Sequence, residues 1–192
     1  MANYKSKKGM IVDVQPLKSM EEIAEMIEAL GMSKKGLRNQ LLFKLGISTG
    51  LRCSDLVKIK VSDVKGKTSL ILNEDKTEKK RTVYLNSVLA ELIEYLDTLA
   101  DDEKYLFPNS KGGHISVTQV YRILEKAGDL IGNDSIGTHT MRKTFGYTYY
   151  QATKDIATLM NIFNHSSQAV TLDYIGITEE SIEQSLKTVR FF

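Results

Sequence analysis

Helical apolar spacing dominates this sequence and gives way once, between Thr68 and Leu85, to two β-prone runs, Ser69-Leu-Ile-Leu-Asn and Arg81-Thr-Val-Tyr-Leu. The runs flank a charged turn, Glu74-Asp-Lys-Thr-Glu-Lys-Lys, and read as a hairpin with a lysine-rich tip. One hairpin makes only a small sheet, so the core must form chiefly between helices. The fold class is therefore mainly α with a small antiparallel β-sheet (α+β). Ser19 followed by Glu22 is a capping box, and Ile23, Met26, Ile27 and Leu30 keep helical spacing up to Gly31. Leu37, Leu41, Leu42 and Leu45 mark a second helix that runs through Gly46 into a corner at Gly50, and a short third helix lies within Leu51 to Val57. Asn86 caps a helix with Val88, Leu89, Leu92, Ile93 and Leu96 inward; after the loop around Gly112-Gly113-His114, another spans Val117 to about Ile131. Further helices are expected over roughly 139–152, 153–163 and 178–188.

At 192 residues the chain is large enough for one substantial core and too short for two independent domains of ordinary size. Its apolar runs are far shorter than a membrane span and its N-terminus, MANYKSKKGM, has no apolar signal core, so no membrane is involved and a cytoplasmic location is expected. Cys53 is the sole cysteine and the three histidines are scattered, which disfavours disulfides and structural metal. A net charge of +2 conceals a strong asymmetry: residues 34–82 carry thirteen Lys/Arg against five Asp/Glu. Such a block fits an electropositive face for a polyphosphate partner and, equally, a set of solvated lysines around the fold.

The residues with chemical potential sit at helix starts and turns. His139 and Arg142, three apart, share one face if their segment is helical and could grip one anion. His165 and Tyr174 are nine apart, which on an unbroken helix would set them on opposite faces. They can converge only if the chain breaks between them, and Ser166-Ser167 is the candidate break.

Five elements in one order resemble the catalytic domain of the tyrosine recombinases, the phage-integrase family of DNA strand-exchange enzymes. They are Gly50-Leu-Arg52-Cys-Ser-Asp-Leu, Asp75-Lys76-Thr-Glu-Lys-Lys-Arg-Thr-Val, His139-Thr-Met-Arg142, His165-Ser-Ser and Asp173-Tyr174, and the resemblance covers about residues 18–190. It implies the recombinase catalytic-domain fold and a site-specific recombinase that cleaves and rejoins double-stranded DNA through a 3′-phosphotyrosine, with no metal, ATP or cofactor. Arg52 and Arg142 would clamp the charge on the phosphorane, with Tyr174 as nucleophile. His139 is the candidate base, Lys76 the candidate acid and His165 a further donor to the phosphate. The C-terminal helix after Tyr174 is expected either to pack in cis or to join protomers into a homo-oligomer on DNA.

Two departures accompany the match. Asn164 stands where the family often has glycine, and the chain opens almost directly into the catalytic region. The expected division is an N-terminal tail, 1–17, and a catalytic domain, 18–192, with no N-terminal DNA-clamping domain. Singly, each residue has a plainer reading. Tyr174 is a packing tyrosine between Leu172 and Ile175, Arg52 a partner for Asp55, and Lys76 a solvated tip residue beside Lys79 and Lys80. His139 and His165 are backbone-bonded or loop histidines, His114 a loop residue, Cys53 a small buried side chain, and Tyr147, Tyr149 and Tyr150 a core-facing band. The rival functions are a non-catalytic DNA-binding regulator on the same fold and a helical protein-interaction module.

Overall fold

Helix α1 (Met20–Gly31) begins where the sequence places it. The Ser19 hydroxyl accepts from the Glu22 N–H at 3.1 Å, and the Glu22 carboxylate accepts from the Ser19 N–H at 3.0 Å. The structure is a computed structural model and describes residues 13–73 and 80–177, together with Glu183, Leu186 and Lys187. Met26 and Leu30 of α1 are covered by α2 (Gly36–Thr49) and α6 (Val117–Leu130). Helix α2 is the axis of the domain: it touches α1, α5 (Leu89–Leu96) and α7 (Thr140–Thr153), and buries Asn39, Leu41, Leu42, Phe43, Leu45, Gly46 and Thr49. A helix covered on so many sides belongs at the centre of the core. It approaches α7 closely at Gly46, where a Cβ would lie 2.5 Å from Met141 Sδ.

At Gly50 the chain turns out of α2 with φ +62°, and a Cβ there would collide with the Phe145 ring. Leu51 is then buried, Arg52 caps the short α3 (Cys53–Leu56) in extended conformation, and α4 (Val61–Val64) follows. The hairpin pairs β1 (Ser69–Asn73) with β2 (Lys80–Tyr84), antiparallel, with Leu70 opposite Val83. Both are buried, while Ile71 and Tyr84 on the other face are 69% and 70% exposed, so one face of the hairpin completes the core. The tip, Glu74 to Lys79, lies outside the described residues and takes Lys76 with it.

The segment after the hairpin differs from expectation. Asn86 opens a 3₁₀ turn, Asn86–Val88, before α5 starts at Leu89, and Ile93 is 53% exposed, whereas Tyr95 is buried against Phe107. Leu92 and Tyr95 are three apart and define the inward face; Ile93 lies one step of about 100° from Leu92 and turns outward. Beyond α7 a second, smaller core forms around Leu159, Phe163 and Ile175, and Tyr147, Tyr149 and Tyr150 pack half-buried against it. It gathers α7, α8 (Ile156–Phe163) and α9 (Gln168–Tyr174). Helix α9 is an addition to the elements expected from sequence, whereas the helix expected over 178–188 falls outside the described residues except Glu183, Leu186 and Lys187.

Residues 13–18 bind the two cores together. The Leu17 N–H donates to Thr144 Oγ1 at 2.9 Å in the interior, Lys18 Nζ donates to the Gly176 carbonyl at 3.0 Å, and Lys143 Nζ donates to the Val14 carbonyl at 2.6 Å. Among the described residues, no helix is long and apolar enough to cross a membrane. No group of three or more His, Cys, Asp or Glu placed to hold a metal occurs among them either.

Gly50 supplies a direct test of the corner. Gly50→Ala adds the left-handed backbone penalty to an overpacked contact with Phe145, together about 2–4 kcal/mol. The urea midpoint of unfolding should fall accordingly; an unchanged midpoint would show that the corner does not need glycine.

Candidate active site

The corner after Gly50, the start of α7, the end of α8 and the end of α9 open onto one cleft. Arg52, Cys53, Ser54, Val117, Thr138, His139, Arg142, Phe163, His165 and Tyr174 line it. Its volume of about 290 Å³ lies at the lower edge of small-molecule pockets, which suits a single group entering from a larger partner. Five of the six residues expected at the site thus share one cleft, and the sixth, Lys76, lies outside the described residues.

Arg142 is the most deeply set of them, only 5% exposed. Its Nη1 donates a short hydrogen bond to the Gly50 carbonyl, and its Nη2 reaches the carbonyls of Ile162 and Phe163, each at 3.4 Å. The guanidinium carbon also lies 4.4 Å from the centre of the Phe163 ring. Carbonyls at the C-terminal end of a helix carry partial negative charge and suit a cation. They orient the guanidinium without cancelling its charge. Arg52 lines the same cleft, placed by the extended backbone that caps α3.

His139 occupies the N-cap position of α7, three positions before Arg142, and both face the cleft as the spacing required. Its Nδ1 is 3.1 Å from the Tyr174 hydroxyl. In the neutral Nε2–H form of His139, Nδ1 accepts the phenol proton. Burial raises the Tyr174 pKa, and the nearby positive charges of Arg142 and Arg52 oppose that rise. The phenol therefore rests protonated at neutral pH.

The break that lets His165 and Tyr174 meet lies in the four residues Asn164 to Ser167. Helix α8 ends at Asn164 in left-handed conformation, φ +57°, and Ser167 caps α9 by accepting from the Val170 N–H at 3.3 Å. Asn164 takes the left-handed position that a glycine would otherwise fill; asparagine tolerates it better than most residues. The break brings the His165 and Tyr174 rings to 5.1 Å, edge to face, and sets each ring against Phe163. His165 Nδ1 lies 3.1 Å from the hydroxyl of Thr171, a fully buried residue. Burial first, then Arg142 and Arg52, hold the His165 pKa below the ordinary histidine value.

Sequence reasoning missed Thr171, Phe163 and Lys143, whose Nζ stands 5.3 Å from the Tyr174 ring centre. Thr171 had a usable signal: it is three residues before Tyr174, one turn away on the same helix. Phe163 and Lys143 carried none, since an aromatic at a helix end and a lysine on a helix are ordinary. His114 is a loop residue, edge-on to the Tyr105 ring, away from the cleft.

Cys53 reaches the cleft wall, but its thiol is buried and its pKa is pushed up to about 12 by burial and, secondarily, by Asp55. At pH 8 only about one molecule in ten thousand would carry the thiolate. Native protein should therefore resist iodoacetamide at pH 8 and alkylate at Cys53 once unfolded in urea; rapid native alkylation would contradict the burial.

Comparison with known proteins gives the family and the fold. A model of the phage integrase family matches residues 18–181. The chain is 44% identical over 176 residues to the probable integrase/recombinase YoeC of Bacillus subtilis, covering 91% of this chain and 96% of that protein. It is 30% identical over 175 residues to tyrosine recombinase XerA of Thermococcus onnurineus, covering 88% of this chain but 61% of that one. Among solved structures, the XerH site-specific recombinase bound to palindromic difH substrate, a post-cleavage complex, has the same fold at TM-score 0.72 and 22% identity, with 96% of this chain and 55% of that chain covered. With most of its length inside the family match and five motif residues meeting in one cleft, the chain belongs to the phage integrase family of tyrosine recombinases.

Proposed function

We propose that this protein is a site-specific DNA recombinase that breaks and rejoins strands through a covalent 3′-phosphotyrosine at Tyr174. The observation that carries the proposal is the meeting of Arg52, His139, Arg142, His165 and Tyr174 in one cleft, with the Tyr174 phenol against His139 Nδ1 at 3.1 Å. Hydrolytic enzymes of other classes recruit a metal to neutralise a phosphorane; here two guanidinium groups would receive that charge. Tyr174 Oη attacks phosphorus, and its proton passes to His139 Nδ1. The P–O5′ bond breaks, and the departing 5′ oxygen takes a proton from Lys76, the assigned acid. One ester bond forms as one breaks, so no ATP is required. His165 serves as an additional donor to a non-bridging oxygen.

Double-stranded DNA is the substrate in this reading. The basic block at residues 34–82 supports it, as do relatives crystallised on DNA, including the lambda integrase dimer bound to a COC′ core site. Residues 18–192 are assigned as the catalytic domain and 1–17 as its tail. Assembly on DNA as a homo-oligomer through the C-terminal segment belongs to the same proposal. Leu186 there is 63% exposed, beside the Glu183–Lys187 ion pair at 3.3 Å.

The decisive experiment incubates the full chain with nicked duplexes carrying a randomised core and looks for a protein–DNA adduct that survives SDS. Wild type should form it without metal or ATP. Tyr174→Phe should abolish it while keeping salt-dependent DNA binding, and Arg142→Lys, which loses the fork that reaches three carbonyls, should lower its rate by a factor of about a hundred or more. DNA binding with no adduct from any substrate pool would reduce the protein to a non-catalytic regulator.

A further inference from the structure

Thr171 is fully buried in α9, and its hydroxyl makes two contacts. One is with the Ser167 carbonyl at 3.0 Å, four residues back along the helix, and the other is with His165 Nδ1 at 3.1 Å. A carbonyl oxygen has no proton to give, so the threonine hydrogen must go to Ser167. The single hydroxyl hydrogen is then spent, and the contact with His165 must be an N–H of the histidine donating to the threonine oxygen. Nδ1 therefore carries the proton of the neutral ring. Nε2, the other nitrogen of a ring that lines the cleft, holds only a lone pair.

We propose that Thr171 is a positioning residue that locks neutral His165 in the Nδ1–H tautomer, so that His165 donates to the scissile phosphate only after Nε2 takes up a proton together with the DNA. The proposal rests on the recombinase reading for the identity of the anion, whereas the tautomer follows from the hydrogen bonds alone. The charged and titratable groups around His165 agree with it. Arg142 on α7 and Arg52 at the α3 corner place positive charge on it, Tyr174 on α9 meets it edge-on, His139 lines the same cleft, and α8 contributes the uncharged Phe163. Burial and the two arginines favour the neutral ring, and an incoming phosphodiester, with the further charge of the phosphorane, reverses the balance. The added proton comes from solvent and leaves with the DNA.

Long-range ¹H–¹⁵N correlation spectra of the full chain, labelled at histidine, test the tautomer directly. The chain has three histidines, so His165→Gln suffices to assign the signal. At pH 7.5 without DNA, His165 should show protonated Nδ1. Thr171→Ser should preserve that pattern, and Thr171→Val, which keeps the shape and loses the acceptor, should move it to protonated Nε2. Unchanged His114 signals verify that each variant is folded. Protonated Nε2 in wild type, or an indifferent Thr171→Val spectrum, overturns the proposal.

The second arm is the pH profile of adduct formation on nicked DNA. Wild type and Thr171→Ser should lose rate tenfold per pH unit above the His165 pKa of the complex. In Thr171→Val that alkaline limb should flatten or shift by at least one unit, because a neutral ring with Nε2–H already donates. A uniform fall in rate with the limb unmoved would make Thr171 merely structural. Absence of adduct from wild type as well would instead defeat the recombinase reading, with the spectra still judging the tautomer.

Discussion

The guanidinium of Arg142 is the fixed point of the structure. It ties the Gly50 corner at the end of α2 to the carbonyls of Ile162 and Phe163 at the end of α8, and it lies against the Phe163 ring at the heart of the smaller core. Taking an arginine out of water is costly unless oriented dipoles replace the lost hydration. The carbonyls of two different chain segments supply that replacement here, so both segments must be placed before the charge can be buried. Folding of the second core and assembly of the cleft are in this way one event. Deleting the side chain would leave the carbonyls turned toward nothing, and the damage would extend to the segment that carries His165 and Tyr174.

The same charge shapes the resting state of its neighbours. Arg142 and Arg52 depress the His165 pKa, and they pull down a Tyr174 pKa that burial pushes up. For the phenol, burial wins, so it stays protonated; for the imidazole, both influences favour neutrality. The cleft thus combines concentrated positive charge, a protonated phenol and a histidine whose neutral form is favoured. An anion entering between the arginines would change each of these at once, since it offsets the field that set them. The residues at 13–18 bear on this from outside, because Lys18 holds the Gly176 carbonyl two residues past Tyr174 and Lys143, beside the Tyr174 ring, holds the Val14 carbonyl.

What could be read from the sequence was what depends on neighbouring residues. The Ser19–Glu22 box, the hairpin between the two β-prone runs, and the His139–Arg142 face are short-range patterns, and each is formed, the hairpin in a register that sets Leu70 opposite Val83. The demand for a chain break between His165 and Tyr174 was legible too, because helical geometry forbids their meeting without one, and Asn164 to Ser167 supplies it. The parts that escaped depend on contacts with distant backbone. Nothing about residue 50 announces that its carbonyl will receive a guanidinium from residue 142, since every residue has a carbonyl. Helix α9 is too short for apolar periodicity to reveal, and with it Thr171 passed unnoticed. Ile93 was misplaced for the opposite reason: four apolar residues in five from Leu92 to Leu96 leave the inward face ambiguous by one step until Tyr95 finds Phe107.

In the proposed reaction, the burial of Tyr174 also bears on how strand transfer could run in both directions. A phenol is a far stronger acid than the aliphatic 5′ hydroxyl it displaces, so its ester is the better leaving partner and an unassisted phosphotyrosine would lie uphill of intact DNA. Raising the phenol's pKa narrows that gap, because a more basic phenoxide attacks more readily and departs less easily. Edge contacts with His139, Phe163 and His165 surround the ring on the cleft side, and the second core stands behind it. They impose that rise as a consequence of packing, while the charges of Arg142 and Arg52 limit it. The small core that looks purely structural therefore acts on the acidity of the phenol proposed as nucleophile, and the arginine that organises the fold acts on it in the opposite sense.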